Sequence, residues 1–127
     1  MAVPRQAILN LLVLAVAAHS VVLGVCLLTF PAWTLKTVGW PYNGEIFWPS
    51  QAGLFLIILG IAYGAAVRFK PLLWLLVGSK GSAFVFLIAH AIWLEAPRLT
   101  LLLAALDGLM GLTVAAGMWW VSRETRR

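Results

Sequence analysis

Four long apolar stretches constrain the fold of this chain more than any other feature of its sequence. They run over residues 7–30, 51–67, 72–94 and 99–121. Helices of this length, rising about 1.5 Å per residue, cross a hydrocarbon core about 30 Å thick. Because 63% of the 127 residues are hydrophobic and only 10% are charged, a water-soluble domain is excluded. We therefore predict a single all-α domain, residues 1–127: an integral membrane antiparallel four-helix bundle.

The basic residues outside these stretches predict the orientation of the bundle. Two of them, Lys36 and Arg98, fall on one side of the predicted membrane. The other side carries Arg5, Arg68, Lys70, Arg123, Arg126 and Arg127. Since cytoplasmic loops carry the excess of lysine and arginine, we expect both termini in the cytoplasm. The net charge of +5 follows from this arrangement, so we predict no nucleic-acid partner.

The segment between the first two apolar stretches, residues 31–50, is the longest predicted loop. It contains three prolines and three tryptophans. Its aromatic rings gain free energy at a bilayer surface, and Pro41 and Pro49 lower the entropy lost when the backbone is ordered. We therefore expect an ordered extracytoplasmic loop that lies across the outer end of the bundle as a lid.

Each predicted helix places one polar residue near mid-membrane: His19, Tyr63, Lys80 and Asp107. The helical rise puts Lys80 and Asp107 within about 5 Å of the same depth. A charge in lipid costs at least about 2.5–3.5 kcal/mol, so we expect these two side chains to pair. One interpretation is a structural pair that fixes helix register. In the other, His19, Lys80 and Asp107 are candidate catalytic residues at the polar end of a cavity, and Tyr63 is a candidate ligand-binding residue.

A second group of polar residues lies at the outer face of the predicted bundle. Glu45, Gln51 and His90 are candidate ligand-binding residues there, at the other end of the same cavity. Glu45, His90 and Glu95 could also form an acid–base set or a weak metal site if the loop folds back over the bundle. Ordinary interfacial polarity is the alternative. No helical metal motif, phosphate loop or nucleophile elbow is present, so we assign no metal ligands and identify no cofactor.

Small residues recur at the spacing of helix contacts in three of the four stretches. They are Gly60 and Gly64, then Gly78, Gly81 and Ser82, then Ala104, Gly108, Gly111 and Ala115. In lipid, such residues let helix backbones approach closely. We interpret them as packing positions within the bundle.

The organisation of the chain resembles the small DoxX-like bacterial four-helix membrane proteins. The resemblance rests on four spans, a tryptophan-rich first loop and three short stretches: Gln51-Ala52-Gly53-Leu54, Gly78-Ser79-Lys80-Gly81 and Asp107-Gly108-Leu109. Related superfamilies of this shape bind or convert lipophilic molecules. The resemblance therefore implies a hydrophobic ligand and a place in a bacterial inner membrane.

Three functions follow from these observations, and membrane lipids are partners in all of them. The first is an intramembrane pocket that binds, and in some cases converts, a hydrophobic molecule such as a quinone, an isoprenoid or a sterol-like lipid. The second is a non-catalytic subunit of a larger membrane complex, docked through the surface loop and the glycine faces. The third is a proton-linked transporter of small molecules, which requires a homodimer because four helices rarely enclose an alternating path.

Overall fold

The computed structural model describes residues 4–124, and the regular structure within this range is entirely helical. The helices are α1 (Arg5–Thr29), α2 (Pro31–Thr37), α3 (Phe47–Ala65), α4 (Leu72–Trp93) and α5 (Leu99–Glu124). Four of them, α1, α3, α4 and α5, are long and apolar enough to cross a membrane. The all-α prediction is confirmed, and the composition of these helices is that of a multi-pass membrane protein. Arg126 and Arg127 lie outside the described residues.

The first pair of long helices, α1 and α3, makes the most extensive contact in the molecule. Gly24 lies against Gly53, and Ala17 lies against Gly60, so the two helices run in opposite directions. A Cβ atom added to Gly53 would lie 2.6 Å from the carbonyl oxygen of Gly24. Only glycine at both positions allows the two backbones to approach this closely.

The second pair, α4 and α5, is also antiparallel, because Phe84 lies against Gly108 and Lys80 lies against Gly111. Further contacts join α1 to α5 and α3 to α4, which closes the four long helices into a ring. The packing interpretation of Gly60, Gly108 and Gly111 is therefore confirmed. A Cβ atom on Gly78 or Gly81 would meet no atom within 4 Å, so close packing does not require glycine at these two positions and the packing interpretation is wrong for them.

The predicted loop between the first two spans is partly helical, which corrects the prediction for residues 31–50. Pro31 ends α1 but also opens α2, because proline suits the first position of a helix, where its missing N–H would have no partner. The Thr34 hydroxyl donates to the carbonyl oxygen of Cys26, 3.0 Å away, and holds α2 alongside α1. Residues 31–38 therefore lie along the side of the bundle, and the prediction that this part covers its end is wrong.

The third helix begins at Phe47, four residues before the predicted start at Gln51. Pro49 lies in its first turn, where backbone N–H groups have no intrahelical partner, so the ring does not interrupt the ladder. Glu45 stabilises this start, because its Oε1 atom accepts hydrogen bonds from the N–H groups of Phe47 and Trp48 at 2.7 and 3.4 Å. The loop is correspondingly shorter than predicted.

The main cluster of buried apolar side chains lies in one half of the bundle. Its side chains are Leu9, Val13, Val16, Ala17, Tyr63, Ala66, Leu73, Leu76 and Val114. All of them come from the half that contains the start of α1, the turn between α3 and α4 and the end of α5. The other half contains a cavity lined in part by His19, Lys80 and Asp107.

All seven tryptophans are on the outside of the molecule, between 37% and 75% exposed. At the end of the bundle that contains the core, the guanidinium groups of Arg5 and Arg123 lie 4.9 and 3.7 Å from the rings of Trp120 and Trp119. Outward-facing indoles beside basic groups are typical of the level where apolar chains meet headgroups.

Candidate functional site

An ion pair joins the middle of α4 to α5. Lys80 Nζ donates a hydrogen bond to Asp107 Oδ1 at 2.6 Å, and the two side chains are only 6% and 18% exposed. A Cβ atom on Gly111 would lie 3.2 Å from Lys80 Cβ, so this glycine leaves room for the lysine stem. The predicted pairing of Lys80 with Asp107 is confirmed.

Beside this pair lies a cavity of about 260 Å³ between the four long helices. His19 from α1, Lys80 from α4 and Asp107 from α5 all line it, so the structure brings the three candidate catalytic residues to one place. The larger apolar side chains around it are Leu23, Leu56, Phe86, Leu87, Leu103 and Leu106. The result is an apolar space with one polar wall.

The polar wall contains hydrogen-bonding groups that have no partner among residues 4–124. A lysine ammonium carries three donors, and only the bond to Asp107 is present among residues 4–124. Within the same range, the only hydrogen bond of Asp107 is through Oδ1, and the imidazole of His19 makes none. Buried polar groups are stabilised when they are hydrogen bonded, so this wall favours a ligand or water that bears an acceptor.

Tyr63 belongs to the core and does not line the cavity. It is 2% exposed, and its hydroxyl is hydrogen bonded to that of Ser79. Ser79 Oγ in turn lies 2.7 Å from the carbonyl oxygen of Leu75 and donates to it, which leaves Tyr63 as the donor in the first bond. The Tyr63 hydroxyl therefore ties α3 to α4 next to the site.

The outer polar residues are not assembled into a site. The carboxylate of Glu45 is occupied by the backbone at the start of α3. His90 Nδ1 lies 2.8 Å from the carbonyl oxygen of Phe86 in its own helix, and its ring packs on the Phe86 ring with centroids 3.8 Å apart. Gln51 is half-buried in the first turns of α3 and does not line the cavity. In the described part of the chain, no three His, Cys, Asp or Glu side chains are placed to hold a metal ion.

A second cavity, of about 430 Å³, lies between α1 and α2. We call it the side cavity. His19 and Leu23 line both the side cavity and the first cavity, which we call the central cavity. The side cavity depends on α2, so a loop over residues 31–38 does not predict it. The sequence feature that indicates α2, and with it the side cavity, is Pro31 followed by a short segment able to form a helix.

The fold and the central cavity define a class of protein: a multi-pass, all-α membrane protein with a polar-walled cavity inside its helix bundle. No protein family model, curated protein or solved structure matches the chain. The resemblance to DoxX-like proteins therefore stays a prediction.

Proposed function

We propose that this protein binds a hydrophobic small molecule inside the membrane, in the central cavity. The bundle spans a bacterial inner membrane with both termini in the cytoplasm, so the central cavity lies in the outer half of the bilayer. The observation that carries this proposal is the spare hydrogen-bonding capacity of Lys80 and His19 beside an otherwise apolar space.

The size of the central cavity limits what it can hold. A cavity of about 150 Å³ lined by apolar side chains is enough to bind benzene. The central cavity, at about 260 Å³, therefore has room for one substituted ring, but a whole membrane lipid is too large for it. The ligand that fits best has a compact ring as its head.

The charges at the polar wall select the chemistry of this head. Lys80 is paired with Asp107, so the wall is close to neutral overall and still offers N–H donors. A carbonyl oxygen accepts such donors without adding a charge to be desolvated. A quinone or another carbonyl-bearing ring fits this wall better than a plain hydrocarbon such as an isoprenoid or a sterol ring system.

A matched pair of variants tests this proposal. Ala83 lines the central cavity and Ala89, on the same helix, does not, so A83L fills the cavity and A89L is its control. The probe is a fully substituted dimethoxy-dimethyl-benzoquinone, with binding measured by saturation-transfer NMR in mild detergent. We expect binding to the wild type and to A89L, and loss of binding in A83L. Equal signals from all three proteins, or none from the wild type, would contradict the proposal.

The alternative of a subunit in a larger complex rests on the surface loop and on glycine faces that are free to dock. Three of the six glycines on these faces are used inside the molecule, where a Cβ atom on Gly60, Gly108 or Gly111 would lie 2.6–3.2 Å from a neighbouring helix. Native mass spectrometry of the same preparation separates the functions: a second type of chain supports the complex, and a homodimer supports the transporter.

A further inference from the structure

We infer that the ligand is an amphiphile, a carbonyl-bearing ring with one apolar chain, and that its chain lies in the side cavity between α1 and α2. This inference rests on the proposed function, because it places the ring of the ligand in the central cavity. It assigns the side cavity and α2 a role in selecting the ligand.

The two cavities are neighbours that share one wall. His19 and Leu23 line both of them, so a molecule that passes these two side chains can occupy both spaces. The His19 side chain is exposed, and no hydrogen bond within residues 4–124 holds it in place. A ring that fills the central cavity must direct any long substituent out of it, and the side cavity is the adjoining space.

The walls of the side cavity suit an apolar chain. Val22 and Trp33 line it, and the hydroxyls of its two threonines are already hydrogen bonded. The Thr34 hydroxyl is hydrogen bonded to the carbonyl oxygens of Cys26 and Phe30, and that of Thr37 to the carbonyl oxygen of Trp33 at 2.9 Å. The threonines therefore add no unsatisfied donor to this space, so away from the shared His19 the side cavity favours hydrocarbon over a second polar group.

The side cavity is open to its surroundings, so the length of the chain is not limited. Val22 and Trp33 are each 62% exposed while lining it. In a bilayer, this opening faces lipid, and a long chain can continue past α2 into the membrane. The site therefore recognises the ring and the first part of the chain.

The single cysteine of the chain reports on occupancy of the side cavity. Cys26 is a free thiol, lines the side cavity and does not line the central one. The experiment compares decylubiquinone with its methyl analogue, in which a methyl group replaces the decyl chain. Alkylation of Cys26 by N-ethylmaleimide is followed by intact-protein mass spectrometry, and binding of each probe is followed by NMR.

We expect decylubiquinone at ten times its Kd to slow the alkylation of Cys26 about tenfold, since bound and free protein exchange by mass action. The methyl analogue should bind without slowing alkylation. A18F fills the side cavity only and should abolish the preference for the decyl compound. A15F changes an exposed alanine one turn away that lines neither cavity, and should keep this preference.

The outcomes separate this inference from the proposed function. If both probes bind equally well and neither protects Cys26, the chain is not in the side cavity and the inference is wrong, although the central cavity still binds a ring. If neither probe binds, the proposed function fails and the inference fails with it. Protection of Cys26 that persists in A18F would also overturn the inference.

Discussion

Lys80 is 4% exposed in the middle of a helix that is otherwise almost entirely apolar, and its ammonium lies 2.6 Å from a single carboxylate. Transferring both charges out of water is costly, and the attraction at this distance offsets part of that cost. Neither residue can be removed alone without leaving the other charge buried and unpaired. Each partner is therefore required for stability as long as the other is present.

We predict that K80M or D107L alone destabilises the protein by about 3–5 kcal/mol, because each leaves an uncompensated buried charge. The double variant K80M/D107L should recover most of that loss. Thermal unfolding in detergent, followed by circular dichroism, measures all three. If the double variant is as unstable as the single ones, charge compensation is not the reason for the loss. A stable double variant that no longer binds the quinone probe would show that Lys80 and Asp107 take part in ligand binding.

The helical rise gives the depth of each residue in the membrane, and depth is sufficient to predict part of the site. The helical rise alone predicted that His19, Lys80 and Asp107 share a layer, and they line one cavity. Depth does not fix rotation about a helix axis, so it could not show that Tyr63 points into the core towards Ser79. Nor could it show that Glu45 bonds the backbone two and three residues ahead, because that depends on where α3 begins.

At the scale of the helices, the close contact between α1 and α3, here called the seam, depends on Gly24 and Gly53, which face each other. A Cβ atom on Gly53 would lie 2.6 and 2.7 Å from backbone atoms of Gly24 and Leu28, which cannot move aside as a side chain can. We predict that G53A lowers the free energy of unfolding by about 1–3 kcal/mol. G78A is the matched control, since nothing lies within 4 Å of its Cβ, and better helix propensity should raise stability by about 0.5–1 kcal/mol. Equal effects of the two substitutions would show that the seam tolerates a methyl group.

The turn between α4 and α5 contains a strained residue. Glu95 has φ of 52°, the left-handed region that costs a residue with a Cβ atom about 1–2 kcal/mol. We predict that E95G stabilises the protein by about 1 kcal/mol. E95A removes the same charge but keeps the Cβ atom, so it should give no gain. An equal rise in melting temperature for both variants would attribute the effect to charge.

The four long helices could be predicted because length and apolar composition decide membrane spans. The short helix α2 could not, because its stabilising contact is the Thr34 hydroxyl on the Cys26 carbonyl oxygen, eight residues earlier in another helix. A proline after an apolar stretch is equally consistent with the end of one helix and the start of the next.

The molecule as a whole is asymmetric along its axis. One half has a tight apolar core around Leu76 and Val114, both fully buried, and the other half has the central cavity. Side chains packed this closely resist rearrangement, so the core half serves as a rigid base. Opening of the central cavity is therefore expected to involve the half that carries α2.

The long axis of the bundle also has a predicted direction in the membrane. Arg5, Arg68 and Lys70 gather at the core end of the bundle, and positive charge near the ends of spans remains in the cytoplasm. Asn43 and Phe69 are exposed residues in loops at opposite ends of the bundle. For labelling, each is replaced by cysteine in a C26S variant, which has no other thiol. We predict that an impermeant maleimide labels N43C in intact bacterial cells and labels F69C only after permeabilisation. The reverse pattern would place the core end outside. The central cavity would then open to the inner leaflet, where a ligand made in the cytoplasm reaches it without crossing the membrane.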